Sequence, residues 1–284
     1  MIKDFYRLIQ SKLRHSAVFP SIQAAVCRPA FKACLFLLGV FAFAQACLLL
    51  APPAVTASGA SVVNGRALPI FRVQTGQNKV ALSFDCTYGS DDIQTILNLL
   101  REKNVHATFF VTGSWVKSCP DQVQAILDAG HDLGSYGENY QNMTSLSREQ
   151  KRLELQNLHR RVRELYGYEM NLFRLPYGEY DNETIAVVRE CGYFPVQWSV
   201  DSLDWKDYGA ADITERVLKN EKLENGAILL CHSGAKYTPD ALLSLMEGLQ
   251  EKGFQIVPVS ELILTENYRM EADGTQVLSS MEVQ

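Results

Sequence analysis

From residue 79 to residue 259 the chain alternates between two hydrophobic periods. Short segments at 79–84, 106–111, 131–135, 172–175, 194–200, 227–231 and 254–259 read as strands. Between them apolar residues return every three or four positions. Ile93, Ile96, Leu97 and Leu100 form such a stripe on a helix over 91–103. Further helices are expected at 120–129, with Pro120 in the first turn and Gly130 closing it, and at 147–166, with Ser147 placed to cap it. Others follow near 183–191, 213–222 and 241–250, the last ended by Gly253. Seven strand–helix alternations in one domain predict a parallel α/β sheet. Asp85, Tyr136, Arg174, Asp201 and His232 all fall at the C-terminal ends of expected strands. Strand ends share one face in a parallel barrel, so the expected fold is a distorted (β/α) barrel of about seven parallel strands rather than a doubly wound sheet.

The flanks follow neither period. From Ala33 to Ala51 the chain is apolar except for Gln45, close to the roughly 20 residues that cross a bilayer. Residues 1–32 carry Lys3, Arg7, Lys12, Arg14, Arg28 and Lys32 against Asp4 alone. A basic arm before an apolar run predicts a single-pass transmembrane helix over 33–55, with the arm in the cytoplasm and the body outside the cell membrane. Val55-Thr56-Ala57 also offers a signal-peptide cleavage site, so secretion after cleavage is the competing expectation. Residues 56–78, rich in Ala, Pro, Ser and Gly, read as a linker, and 265–284 as a polar tail around a domain at 79–264.

Charge and cysteine content narrow the partners. The chain of 284 residues has a formal charge of −5; six basic residues against one acid in the arm give +5, which leaves −10 for the rest. An acidic body without a basic patch excludes a nucleic-acid partner. Seven cysteines without a CxxC pair argue against a zinc ribbon, and Cys86, Cys119, Cys191 and Cys231 read as free thiols.

Four segments carry chemistry: Ser83-Phe84-Asp85-Cys86, Arg174-Leu175-Pro176-Tyr177-Gly178, Asp201-Ser202-Leu203-Asp204-Trp205 and Leu230-Cys231-His232. With Gly134-Ser135-Tyr136-Gly137-Glu138-Asn139-Tyr140-Gln141 between the first two, their order and spacing resemble the polysaccharide deacetylase (NodB-homology) family over residues 79–264. The resemblance implies hydrolysis of N-acetyl groups on an amino-sugar polymer, such as the peptidoglycan of the cell envelope. It implies Asp85 as general base, Arg174 as the partner holding it ionised, and His232 as general acid oriented by Asp204. It also implies that the Tyr177 backbone, Trp205 and Leu230 contact substrate.

The resemblance further implies a divalent metal, zinc in particular, held by an Asp and two His. Here those positions are Cys86, Tyr136 and Tyr140. Neutral imidazole binds metal near neutral pH, whereas a phenol with a pKa near 10 must first ionise. Cys86 is a thiolate candidate and Asp91 a nearby carboxylate; the ordinary alternatives are a small buried residue and a helix-capping acid. Tyr136 and Tyr140 either form a stacking surface for substrate or fill the space of a lost metal. Two functions from different classes follow: an envelope deacetylase with a non-standard or lost metal site, and a catalytically silent, membrane-anchored glycan-binding or interaction protein.

Overall fold

A computed structural model describes residues 62–87 and 89–279. Its strands are β1 (Arg72–Val73), β2 (Lys79–Cys86), β3 (Thr108–Val111), β4 (Asp132–Ser135), β5 (Leu172–Arg174), β6 (Phe194–Val196), β7 (Val200–Asp201), β8 (Ile228–His232), β9 (Gln255–Val257), β10 (Tyr268–Met270) and β11 (Thr275–Leu278). The helices are α1 (Ile93–Glu102), α2 (Gly113–Ser118), α3 (Pro120–Asp128), α4 (Arg148–Tyr166), α5 (Asn182–Glu190), α6 (Ala210–Leu218), α7 (Thr238–Glu251) and α8 (Val259–Leu262). The main sheet is parallel, in the order β6-β5-β4-β3-β2-β8-β7, with β9 paired to the start of β2.

The two outermost strands, β6 and β7, are consecutive in the chain and joined by residues 197–199 alone. The four steps from Val196 to Val200 reach at most about 14 Å, so the two edges are drawn together and the sheet curls into a barrel. The expected strand over 194–200 is therefore two short strands, one on each side of the seam. The segment before β2 staples that seam. Ile70 N–H donates to the Pro195 carbonyl (2.8 Å), the Ile70 carbonyl accepts from Gln197 N–H (2.7 Å), and Val73 N–H donates to the Gly226 carbonyl (2.9 Å). A Cβ at Gly226 would lie 1.6 Å from the Val73 carbonyl oxygen, so only glycine allows this approach.

Strand alternation divides the apolar residues into two layers. Ala81, Phe110, Leu172, Val196, Ile228 and Val257 fill the barrel. Leu82, Phe84, Cys86, Phe109, Leu229 and Cys231 pack outward against helix residues such as Ile96, Leu100, Leu242 and Met246. Ser147 caps α4 in a full capping box with Gln150, as its position predicts.

Two flanking segments differ from their sequence reading. Residues 66–73, expected as linker, bury Ala67, Leu68, Ile70 and Val73 against the seam. The expected tail contains a hairpin: β10 and β11 pair antiparallel around a turn at Asp273-Gly274, and β11 also pairs with β1 in a second, three-stranded sheet. Tyr268, Met270 and Val277 are buried there. No helix among the described residues is long and apolar enough to cross a membrane; the span expected at 33–55 lies outside them.

Candidate active site

Each strand end delivers a polar side chain to one rim. Asp85 and His232 are registered partners across β2 and β8, so base and acid candidates sit side by side on the inner face. Arg174, the last residue of β5, is fully buried and reaches across the barrel. Its Nη1 donates to Asp85 Oδ1 at 2.7 Å and its Nη2 to Ser83 Oγ at 2.8 Å, while its guanidinium lies 4.0 Å over the Phe110 ring. Ser83 Oγ donates onward to the Leu229 carbonyl (2.6 Å). Asp85 Oδ2 is closed off from solvent and has no protein partner.

Asp204 is buried and organises His232. Its Oδ1 accepts from the Nδ1–H of His232 (2.7 Å); its Oδ2 accepts from the His232 backbone N–H (2.7 Å) and from the Thr238 hydroxyl (2.6 Å). A carboxylate can only accept, so the proton lies on Nδ1 and the neutral ring presents the Nε2 lone pair. Thr238 opens α7 before Pro239 and was not singled out from sequence; a threonine at a helix N-terminus reads first as a capping residue. Asp201, expected on the rim, accepts the Leu203 N–H (2.8 Å) and so shapes the turn that places Asp204.

Burial opposes a charged His232, but the hydrogen bond and charge of Asp204, with Asp85 and Asp201 behind it, outweigh burial and raise its pKa above 6.5. Burial likewise opposes ionised Asp204, and its bonds with His232 and Thr238 outweigh that and lower its pKa. A raised histidine pKa stabilises the fold fully below the unfolded value, and that contribution is lost as pH climbs through the folded pKa. Urea midpoints should therefore show a wild-type advantage over Asp204→Asn that shrinks as pH rises from about 6.5 into the alkaline range. An advantage that is constant across that range would contradict the pairing.

The aromatic side chains at the rim form a chain of contacts. Tyr136 and Tyr140 ring centroids are 4.8 Å apart, as are those of Tyr140 and Tyr177. Tyr136 is only 3% exposed, packed in the barrel with Phe110 and Val196. It therefore offers no stacking face: it fills the barrel mouth beside Asp85. Tyr177 is held at φ 62° in the turn after β5, and the residue is 59% exposed. Trp205 is also exposed. Leu230 is buried on the inner face, one alternation below His232.

The side chains at the implied metal positions do not fit a divalent ion. Cys86 points into the layer between sheet and helices, and burial pushes its thiol well above the ordinary range. Burial, then the charge of Asp85, push the Tyr136 phenol up as well, so both stay protonated and neutral. Asp91 is exposed on the loop before α1. Asp92, at the N-cap of α1, makes no side-chain capping bond and instead accepts the Gly234 N–H at 2.7 Å. Among the described residues no three His, Cys, Asp or Glu side chains are grouped so as to hold a metal.

The chain is similar to several known proteins. A family model described as polysaccharide deacetylase matches residues 72–196. The peptidoglycan-N-acetylglucosamine deacetylase of Bacillus cereus is 31% identical over 195 residues, covering 67% of this chain and 70% of that protein. PgdA of Listeria monocytogenes, a peptidoglycan-N-acetylglucosamine deacetylase, is 33% identical over 210 residues. That match covers 72% of this chain, yet this chain spans less than half of the Listeria protein, 44%. Among solved structures, a CE4 family pseudoenzyme from Bacillus anthracis superposes with a TM-score of 0.65 at 29% identity, covering 68% of each chain. A mutant of that pseudoenzyme, described as having restored enzymatic activity, has the same TM-score at 30% identity, covering 68% of this chain and 70% of that one.

Proposed function

Because the chain belongs to the polysaccharide deacetylase family, we propose that it binds an N-acetylated amino-sugar glycan of the peptidoglycan type in the family groove, with the metal-dependent half of the chemistry lost. One contrast carries this reading. Asp85, whose Oδ2 would take a proton from water, is sealed inside the barrel, while the rim around His232 stays open and aromatic. Aromatic faces at a groove suit the apolar faces of pyranose rings.

A second reading, N-acetyl hydrolysis with a non-standard site, is favoured by the intact Asp204–His232 pair beside Asp85. In that case Asp85→Asn and His232→Ala should each abolish acetate release from N-acetylated glycan, and activity surviving in either variant would remove those roles. The glycan reading is tested by affinity of the full-length protein for an N-acetylglucosamine tetramer. Trp205→Ala with Tyr177→Ala is expected to weaken it at least about tenfold, from about 1 kcal/mol or more per stacked ring; unchanged affinity would contradict the groove as the binding site.

The proposed location is the outer face of the cell membrane, tethered by residues 33–55. The basic arm ahead of that apolar run supports this orientation, and an envelope glycan would lie within reach. Fractionation decides between tether and cleaved leader: the tether keeps the protein in membranes, whereas cleavage releases a shortened chain.

A further inference from the structure

A cavity of about 470 Å³ lies between α1 and α3. The turns that lead into β3 and β4 line it with His106 and His131, and Leu97 and Val105 add apolar surface. In a parallel barrel such turns stand at the end opposite the strand termini that carry Asp85, Arg174 and His232. The candidate active site therefore does not account for this cavity, whose volume falls in the range of small-molecule sites.

His131 is only 5% exposed, yet it lines the cavity. Its Nδ1 accepts the Ala107 N–H (3.2 Å), so the proton of the neutral ring sits on Nε2. Burial, and then the charge of His106, hold its pKa down at about 4, which keeps the ring neutral. Nε2–H has no hydrogen-bond partner among the described residues and is the group His131 can offer to the cavity. Two opposite charges line the same space, Arg101 on α1 and Asp128 on α3. They pair neither with each other nor with any other charge among the described residues. Arg101 Nη2 donates to Asn98 Oδ1 (2.9 Å), and Asp128 Oδ1 accepts from Gln124 Nε2 (2.7 Å); both partners are neutral amides. The other charges beside these turns are engaged or turned elsewhere. Lys103 pairs with Glu247, Asp132 accepts from the Thr108 and Ser260 hydroxyls, and Glu102 does not line the cavity. A metal is set aside, because no third His, Cys, Asp or Glu among the described residues groups with His106 and His131 to hold one.

We propose that this cavity binds a short peptide with free ends. Arg101 takes the terminal carboxylate, Asp128 the terminal ammonium, His131 Nε2–H a peptide carbonyl, and Leu97 and Val105 an apolar side chain. Opposite charges that share a cavity without meeting leave a gap suited to a molecule charged at both ends. A guanidinium grips a carboxylate through two parallel bonds. An ammonium beside Asp128, the last residue of α3, also meets the negative end of that helix. A single amino acid carries the same two charges but has no amide carbonyl between them for His131.

The test is calorimetric titration of leucyl-leucine into the full-length protein, beside its N-acetyl form, its C-terminal amide and leucine alone. Saturable binding of the free dipeptide is expected, with a Kd on the order of 0.1–1 mM. Blocking either end should weaken it about tenfold, as should Arg101→Ala, the usual scale for a hydrogen bond to a charged group. Leucine alone should bind at least about tenfold more weakly, for want of the carbonyl. Arg101→Ala should cost the amide nothing further, because the contact it removes is already missing there. Arg101 is exposed, so this variant keeps the fold. The His131 ring signals should shift in the NMR spectrum as the dipeptide is added, and the N-acetylglucosamine tetramer should not displace it. No saturable binding at about 10 mM dipeptide would overturn the proposal. So would binding indifferent to both amidation and Arg101→Ala, or displacement by the tetramer.

Discussion

The triple variant Cys86→Asp, Tyr136→His, Tyr140→His is expected to bind zinc with micromolar or tighter affinity and to release acetate from N-acetylated glycan, neither of which is expected of the unaltered protein. Three protein ligands with one open position make a catalytic zinc site, and all three are wrong in this chain at once. What the ion needs around it is already built. Asp85 is charge-paired with Arg174, and His232 is oriented by Asp204. The loop carrying positions 136 and 140 is held independently of those side chains. Tyr136 N–H donates to the Val111 carbonyl (2.8 Å), and Glu154 accepts from Asn139 N–H and Nδ2 at 2.8 and 2.7 Å. Zinc would then polarise the acetyl carbonyl and lower the pKa of a bound water. Single and double replacements lack a full ligand set and should stay silent. The metal-free triple variant should melt lower than the parent, because it buries a carboxylate and loses aromatic packing. Zinc at about 100 times its Kd should return roughly 2.7 kcal/mol. Calorimetry with an acetate assay reads both effects; tight zinc binding without acetate would show that the acid–base half no longer works.

Arg174→Ala is expected to cost about 3–5 kcal/mol of folding stability, the range for removing one partner of a buried pair. Arg174 and Asp85 are 0% and 1% exposed, so the substitution strands a carboxylate in the barrel and also leaves Ser83 and the Phe110 face without their contact. For a domain of this size that corresponds to a fall in Tm on the order of 10 °C. The double variant Asp85→Asn, Arg174→Met, which leaves no buried charge, should recover much of the loss. A melting point for Arg174→Ala within about 2 °C of the parent would mean the pair is not buried in solution.

Much of the barrel was legible because its strands are short apolar runs and its helices keep a clear 3.6-residue stripe. Polar residues at strand ends, Asp85, Arg174 and His232 above all, could be placed on one rim from period alone. The seam was not legible: residues 194–200 read as one strand, and nothing in that segment marks where the chain leaves one sheet edge for the other. The hairpin at 268–278 is hard to read from sequence although Asp273-Gly274 is a strong turn pair; the low apolar content around it hides the signal. At the site, sequence could name Tyr136 and Tyr140 as substitutions but not separate them. Only burial shows that Tyr136 plugs the barrel while Tyr140 links it to the exposed Tyr177. Thr238 and Ser83 were illegible because a hydroxyl declares no partner until the fold brings one to it.

The central claim is a glycan groove that works without a divalent metal. Its most direct test is calorimetric titration of the N-acetylglucosamine tetramer into the full-length protein, once with a chelator and once with zinc, with acetate followed in the same samples. The expected result is the same affinity in both and no acetate in either. Binding that appears only with zinc, or acetate release that depends on it, would contradict the claim and return this chain to the metal-dependent deacetylases.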